Sequence, residues 1–572
     1  MMDIDEFDRH YNNMMNADII AIDTETTGIN GIKDGRAYLQ GISFAYRLGP
    51  LGIFSGYLPL RHFDENMDKN YVVNRMESIL KSKTIVFHNR KFDLHSLKTI
   101  GIDVYKFDTT QYDTLVMAQL MNEELPSNQL DWLSKVFLKD EKFDDVIKPW
   151  GKTLGWNTIP AGLMEPYAKK DAELTLRLFE LFKKDLIDQQ LWHLMDTEQE
   201  FGTMLFNMEQ VGIGVNQDYC SEMLEIGEQR MALIEGVLGF NPASPKELGS
   251  LFFDQLGMPI LETTPAGKPS LNKKAMEEYD ILLESSYNPL ARMVLEYRGW
   301  QKACSSLYKP MLELVSPDGM VRPNFRQTGT RTGRLSCAEP NLQQIPRKSS
   351  NPWNGNAKKA FNAGSDDFML IGYDYAQLEL RLAAVYGSET RLLEEFKKEE
   401  SDPFTAYSEI IGVSRQDTKT FFYSNIYGAG VGKIAYTLGR PEDEVREIHD
   451  RFIESIPGIR NASKRASELA KNRGFVRYWT GRRRHFHYGE GNHKAFNSIL
   501  QGGAAELVKH AMLKMKEIES DDLQVVLQVH DEIVFRVRKD KLDKYKPEII
   551  NRMTDFPQFD VQFAVEGKVW NE

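Results

Sequence analysis

Two aspartates far apart in the chain each stand where an apolar strand runs out. Phe368-Met369-Leu370-Ile371-Gly372-Tyr373 leads into Asp374, and a helical pattern follows. Gln524-Val525-Val526-Leu527-Gln528-Val529 leads into His530-Asp531-Glu532, and Ile533-Val534-Phe535-Arg536-Val537 continues as a second strand. A strand, His-Asp and a second strand predict a tight hairpin with a carboxylate at its tip, where Asp is well tolerated. Two such strand-end carboxylates can share a pair of divalent cations, the arrangement that in-line phosphoryl transfer needs.

A second carboxylate set lies in the first third of the chain. Ala17–Ile22 reads as a buried strand running into Asp23-Thr24-Glu25. Asp23 and Glu25 are two apart on a strand and face the same side. Thr84–Phe87 is a further strand, after which His88-Asn89-Arg90-Lys91-Phe92-Asp93 opens a helix. Tyr167 and Asp171 are four apart on a helix and so neighbours on one face. Singly, each has a plain reading: a solvated strand end, a helix-start carboxylate, a surface charge. A third feature is the series Arg415, Lys419, Tyr423 and Tyr427. Each four-residue step turns about 40° around a helix, so all share one broad face. Cations at one end and aromatic rings at the other suit a nucleotide, phosphates at one end and base at the other.

The elements that hold these residues alternate strand and helix in a chain of 572 residues, long enough for several domains. The net charge of -12 argues, taken alone, against a nucleic-acid partner. The stretch from Arg415 to Arg484 is nevertheless rich in Arg and Lys and ends in Arg482-Arg483-Arg484. It predicts a local basic surface on an acidic chain, where those three arginines either bind phosphates or solvate the surface. Cys220, Cys304 and Cys337 have no paired spacing, which speaks against a disulfide framework or a zinc site and fits a reducing, cytoplasmic location. The N-terminus is acidic without an apolar run, unlike a signal peptide, and no segment has the length and hydrophobicity of a bilayer span, so no membrane partner is expected.

Taken as an ordered set, Asp-x-Glu after a strand, Asn89-x-x-x-Asp93 and Tyr167-x-x-x-Asp171 resemble the proofreading 3′–5′ exonucleases of the DEDD superfamily, in the subtype with Tyr in the third motif. The resemblance implies that Asp23, Glu25, Asp93 and Asp171 hold two Mg²⁺ ions, which hard oxygen ligands suit. It implies that Tyr167 orients the attacking water.

The rest of the chain resembles family A DNA polymerases, the class of bacterial polymerase I and many phage replicases. The matching stretches are Val211-Gly212-Ile213, Asn241–Lys246, Leu295–Arg298, Thr332-Gly333-Arg334-Leu335-Ser336, Pro340-Asn341-Leu342-Gln343 and Tyr373–Arg381. The resemblance implies a second Mg²⁺ pair, replaceable by Mn²⁺, on Asp374, Asp531 and the Tyr375 carbonyl, with Glu532 as an auxiliary carboxylate. It places Gln377, Glu379, Arg415, Lys419, Tyr423 and Tyr427 at the incoming nucleotide. Glu379 would crowd a ribose 2′-hydroxyl and Lys419 would protonate the departing pyrophosphate. Tyr423 resembles phage members that accept 3′-deoxy terminators. Arg334, Asn497 and Gln501 would probe the primer-template minor groove, Asn341 and Gln343 the template side, and His530 would sit by the primer terminus.

The implied fold is α/β and multidomain: an RNase H-like 3′–5′ exonuclease over 1–190, then a right-hand polymerase. Its palm would start at 191–215 and continue at 317–385 and 497–572, with the thumb at 216–316 and the fingers at 386–496. The expected function is template-directed DNA synthesis with proofreading, acting as a monomer on primer-template DNA and dNTPs, in the replication of a phage genome. No 5′-nuclease domain and no thumb insertion of the thioredoxin-binding type are expected. His493, Phe404 and Ser424 stand where relatives carry other residues, and Arg347 arrives earlier than the usual arginine. Two alternatives remain open: an enzyme dominated by its exonuclease, used for repair or base selection, and a non-catalytic scaffold for primer-template junctions.

Overall fold

The computed structural model describes all residues except 1, 29–30, 34, 143–144, 265, 285–287, 346–354, 399, 488–490 and 572. Arg347 therefore lies outside the described residues. Among the described residues no helix is long and apolar enough to cross a membrane, and Cys220, Cys304 and Cys337 are all buried free thiols.

The N-terminal region is built on five strands: β1 (Ile19–Thr26), β2 (Leu39–Arg47), β3 (Ile53–Pro59), β4 (Thr84–Phe87) and β5 (Gln111–Asp113). Their order is β3-β2-β1-β4-β5. β1 to β3 form an antiparallel meander, and β4 and β5 run parallel to β1. The central β1 is apolar because helices cover it on both sides. The long helix Ala161–Asp188 lies across the meander, and a break in the β1–β2 register falls at Glu25/Thr26, beside the carboxylates. Helix Arg90–Lys98 starts straight after β4, through Asn89 in a left-handed conformation (φ 70°) that Asn tolerates better than most residues.

The C-terminal region contains a four-stranded antiparallel sheet. Its order is Leu523–Val529, Glu532–Arg538, Phe368–Tyr375, Val565–Val569. The two-residue connection His530-Asp531 closes the hairpin that the sequence predicts, and it pairs Glu532 with Asp374 across the sheet. Helix Ala495–Met515 packs over the neighbouring helix Leu378–Gly387, and helix Arg415–Ile426 stands farther out.

Helix Leu194–Val211 joins the two halves. Phe206 enters the core of the N-terminal sheet, whereas Phe201, Met204, Leu205 and Met208 enter the C-terminal core. Each such buried large side chain contributes about 1.5–3 kcal/mol. Its carboxylates cement the same junction. Glu209, fully buried, accepts from Lys33 (2.8 Å), Lys91, His95 (2.7 Å) and the Phe325 backbone N–H (2.7 Å). This concentration of cations holds Glu209 well below the ordinary carboxylate range despite its burial.

Candidate active sites

The N-terminal sheet brings Asp23, Glu25 and Asp171 together, with ligand oxygens all within 4.8 Å of one another; no other such three-residue group occurs among the described residues. Asp93 stands beside them. One of its oxygens accepts from the Thr24 N–H (3.1 Å) and hydroxyl (2.7 Å), and the other is buried with no hydrogen-bond partner. Glu25 Oε1 and Asp171 Oδ1 are likewise buried without a hydrogen bond. Burial first, then repulsion from Asp171, pushes Asp23 up to about 8. Burial and like charge also raise Glu25 and Asp93, and burial raises Asp171 against the opposing pull of a lysine and of Tyr167. Crowded, under-bonded carboxylates of this kind fit hard divalent cations, which would supply the missing partners and the opposite charge. Tyr167 lies on the same helix face as Asp171 and lends it a hydrogen bond.

The sequence reading missed Lys142. Its ammonium is 2.5 Å from Asp171 and 5.1 Å from the centre of the Tyr167 ring. Nothing local in the sequence marks it, because Asp171 is far along the chain.

The second site opens as a cavity of about 670 Å³ lined by Asp374, Asp531, Glu532, Gln377, Glu379, Tyr423 and Tyr427, with Arg334, Gln343 and His530 at its walls. His530 takes φ 58°, a strained value for a side-chain-bearing residue, at the hairpin tip. The tip is braced: Gln528 donates to the His530 carbonyl, and Gln343 donates to the Gln528 carbonyl (3.1 Å) and side chain (3.0 Å). Gln343, expected on the template, thus supports the turn that carries Asp531. The Asn341 carboxamide caps its own short turn through the Gln343 N–H (3.1 Å).

Asp374 and Glu532 face each other across the sheet, with Glu566 on the other flank of Asp374. Glu532 accepts from Trp570 Nε1 (3.2 Å), and its second oxygen is buried without a hydrogen bond, 3.8 Å from Lys358. Gly372 makes room for it, since a Cβ there would overlap the Glu532 carboxylate and lie 2.9 Å from Trp570. The Tyr375 hydroxyl is turned into the core, donating to the Met553 carbonyl (2.5 Å), so only its backbone oxygen is left for the site. Burial raises Asp531 to about 6; Arg334 opposes the shift, and Glu379 and Asp374 add to it. This set, too, suits divalent cations.

Glu379 is the hub of the cavity wall that carries Tyr423 and Tyr427. Its two oxygens accept from Arg334 (2.5 Å) and the Tyr427 hydroxyl (2.8 Å). Tyr423 and Tyr427 stack with ring centres 6.1 Å apart and 25° between planes. Tyr427 ends the helix rather than continuing it. At the other end, Arg415 pairs with Asp402 (2.6 Å) and both Arg415 and Lys419 stand over Phe404, at 5.6 and 5.9 Å, off the cavity wall. Asn497 and Gln501 are half-buried on helix Ala495–Met515, and the Asn497 carboxamide oxygen has no hydrogen-bond partner. Gln377 is in the left-handed region (φ 53°) with its side-chain oxygen buried and unbonded.

The expectation for Arg482-Arg483-Arg484 is overturned. These arginines neither lie ready for phosphates nor solvate a surface. Arg482 is buried and pairs with Glu198 and with Glu506 (2.8 Å), where Lys509 joins both carboxylates (2.5 and 3.1 Å). Arg483 donates to the Gln189 carbonyl (2.7 Å) and side chain (3.0 Å). Arg484 pairs with Glu123 (3.0 Å) and Glu124 (2.5 Å). Apart from Glu506, their partners lie 284 to 361 residues upstream, so the run joins the two halves of the chain. Breaking such a buried pair by removing one partner costs about 3–5 kcal/mol.

Two separate carboxylate sets, one crowded and one opening on a cavity walled by stacked tyrosines, are the kind of arrangement that metal-assisted phosphoryl transfer needs. The sequence model for DNA polymerase family A matches residues 214–572, and that for a 3′-5′ exonuclease matches residues 2–187. The chain belongs to DNA polymerase family A. It is 28% identical to DNA polymerase I of Pseudomonas aeruginosa over 99% of this chain and 65% of that protein. It is 28% identical to DNA polymerase DpoZ of Salmonella phage PMBT28 over 90% of this chain and 89% of that protein. The chain thus spans just under two thirds of the length of the P. aeruginosa relative. The POL domain of Pol1 from M. smegmatis, in complex with DNA primer-template and dNTP, shares the fold at a TM-score of 0.82 and 21% identity, with 100% of this chain and 99% of that chain covered.

Proposed function

We propose that this protein is a template-directed DNA polymerase that edits its own product by 3′–5′ hydrolysis, with two divalent metal ions, Mg²⁺ by preference, at each site. The observation that carries the reading is the pair of carboxylate sets at separate sheets, the first with three buried carboxylate oxygens that lack a hydrogen-bond partner (on Glu25, Asp93 and Asp171) and the second with one (on Glu532). Primer-template DNA and dNTPs are the proposed substrates.

In the synthetic site Asp374, Asp531 and the Tyr375 carbonyl would hold the metal pair, which when bound favours ionisation of the primer 3′-hydroxyl and neutralises triphosphate charge. Glu532, anchored by Trp570, would support them from the next strand. Glu379 keeps its bond from the Tyr427 hydroxyl when Arg334 turns to DNA, and an anchored carboxylate suits a residue that crowds a ribose 2′-hydroxyl. The Tyr423–Tyr427 stack offers a platform for a base. Arg415 and Lys419 would meet the phosphates once the helix moves them from Phe404 to the cavity, and Lys419 would hand a proton to pyrophosphate. Arg334, Asn497 and Gln501 would contact the minor groove, where acceptors recur at similar positions in every base pair. Asn341 and Gln343 would lie on the template side, and His530 at the primer end. In the editing site Asp23, Glu25, Asp93 and Asp171 would hold the metals, while Tyr167 orients the attacking water. The domain limits proposed with this reading are the exonuclease over 1–190, the thumb over 216–316, the fingers over 386–496 and the palm over the remaining segments.

The test is a labelled primer-template incubated with Mg²⁺, with and without the four dNTPs. Extension with them and shortening without them is the expected result. Shortening under both conditions would favour an exonuclease-dominated enzyme, and binding without turnover would favour a scaffold.

A further inference from the structure

Helix Thr114–Met121 spans the gap between the two sites. At its start, the Asp113 carboxylate accepts the Leu115 N–H (2.9 Å). The same carboxylate accepts the Asn89 and Arg90 N–H groups (2.9 Å each), the first amides of the helix that carries Asp93. At its far end, Gln119 Nε2 donates to the Thr330 carbonyl (2.9 Å) of the C-terminal half. Asn128 Nδ2 donates to Gln119 Oε1 (2.8 Å), which fixes the orientation of that amide. Just beyond the helix, Glu123 accepts from the His485 N–H (2.5 Å), and Glu124 pairs with Arg331 (3.5 Å) as well as Arg484.

Thr330 and Arg331 open the turn that ends in Arg334. The Thr330 hydroxyl donates to the Arg334 carbonyl (2.7 Å), which closes the turn on itself. Gly333, at φ 79°, leaves the space that Arg482 and Glu506 approach from below. The Arg334 side chain meanwhile is bound to Glu379. For that guanidinium to reach a minor groove it must leave Glu379, and the backbone then needs an anchor that does not use the side chain. An exposed turn with no such anchor samples several conformations, and a contact group that is 1 Å loose loses much of its effect. The Gln119–Thr330 bond supplies the anchor from the opposite half of the molecule; the longer Arg331–Glu124 pair, whose arginine is exposed, adds less.

We infer that the segment Gln119–Glu124, in the half that carries the editing site, positions Arg334 for primer-template binding at the synthetic site. The inference rests on the proposed role of Arg334. Gln119 and Glu124 are positioning residues: they touch neither substrate nor metal.

The test compares Gln119→Met, Glu124→Gln and their combination with Arg334→Ala, in the full chain with Mg²⁺. The primers end in either an ordinary purine or a 3-deazapurine, which lacks the minor-groove N3 acceptor. The wild type should lose affinity for the 3-deaza primer, and Arg334→Ala should abolish that difference. The double variant should raise KM for primer-template by about three- to tenfold, the scale of one hydrogen bond, with little change in kcat. It should also shrink the 3-deaza penalty. Hydrolysis of a single-stranded oligonucleotide, read in the same preparation, should stay at the wild-type rate and so report an intact N-terminal half. If that hydrolysis falls, Arg331→Met, which removes the partner of Glu124 from the other half, repeats the comparison. An unchanged KM and an undiminished 3-deaza penalty in these variants would overturn the inference while leaving Arg334 in its role. A penalty that survives Arg334→Ala would overturn the role of Arg334 and the inference with it.

Discussion

The two carboxylate sites solve one chemical problem under different electrostatic strain. In the N-terminal site four carboxylates are crowded into a buried space, and Asp23 is pushed up to about 8. In the C-terminal site the carboxylates line an open cavity, Arg334 partly offsets their charge, and Asp531 rises only to about 6. Each site has one protein cation against its carboxylates, Lys142 in the first and Arg334 in the second, but in the first it leaves the larger residual strain. The second keeps an open cavity of about 670 Å³ beside its carboxylates.

The sharpest way to separate the two is to remove one ligand from each. Asp531→Ala should lower extension by on the order of 10²-fold or more, beyond what loss of a supporting partner does at a metal site, and spare hydrolysis. Asp23→Ala should do the reverse in the same pair of assays. A variant that loses both activities would mean that the sites are not independent.

A middle-sized effect should come from Gly372→Ala. The added methyl group must displace Glu532 or Trp570, at a cost of about 1–3 kcal/mol. Extension should fall and the apparent Mg²⁺ requirement for extension should rise, while the Mg²⁺ dependence of hydrolysis stays put. An equal shift in both would show that the strain spreads beyond the four-stranded sheet.

The smallest effect is a difference in the pH dependence of stability. A carboxyl whose folded-state pKa lies above its unfolded value holds its proton longer in the folded state. Its contribution is therefore present at low pH and is lost as pH rises. For Asp23 that window runs from about 4 to about 8, and for Asp531 from about 4 to about 6. In metal-free buffer Asp23→Asn should raise Tm relative to wild type at about pH 8 and have little effect at about pH 4. Asp531→Asn should show a smaller gain that is complete by about pH 7. Mg²⁺ should stabilise the wild type more at the higher pH, and scanning calorimetry with and without EDTA reads each of these.

What was legible in the sequence was what local geometry encodes. The period of two along β1 placed Asp23 and Glu25 on one side, the His530-Asp531 hairpin formed where β-branched runs met, and Tyr167 reached Asp171 one helical turn on. The helix bearing Tyr423 was foreseen, but not that Phe404 would hold its cations off the cavity. The arginine run was seen and misread for the same reason. Its partners, Glu198, Gln189 and Glu123, lie hundreds of residues away, and composition cannot distinguish an exposed basic patch from buried pairs. Lys142 and Glu209 escaped because a single charge has no pattern until the fold supplies its neighbours.

Helix Leu194–Val211 also bears on how this molecule can be taken apart. A cut at residue 190 leaves Phe206 and Glu209 on the far side of the scissors, and a cut after residue 211 carries Phe201, Met204 and Leu205 away with the wrong piece. Either fragment would leave the ribosome with a greasy scar or an unfilled socket. Anyone wishing to express one activity alone should keep the whole chain and silence the other site by point substitution.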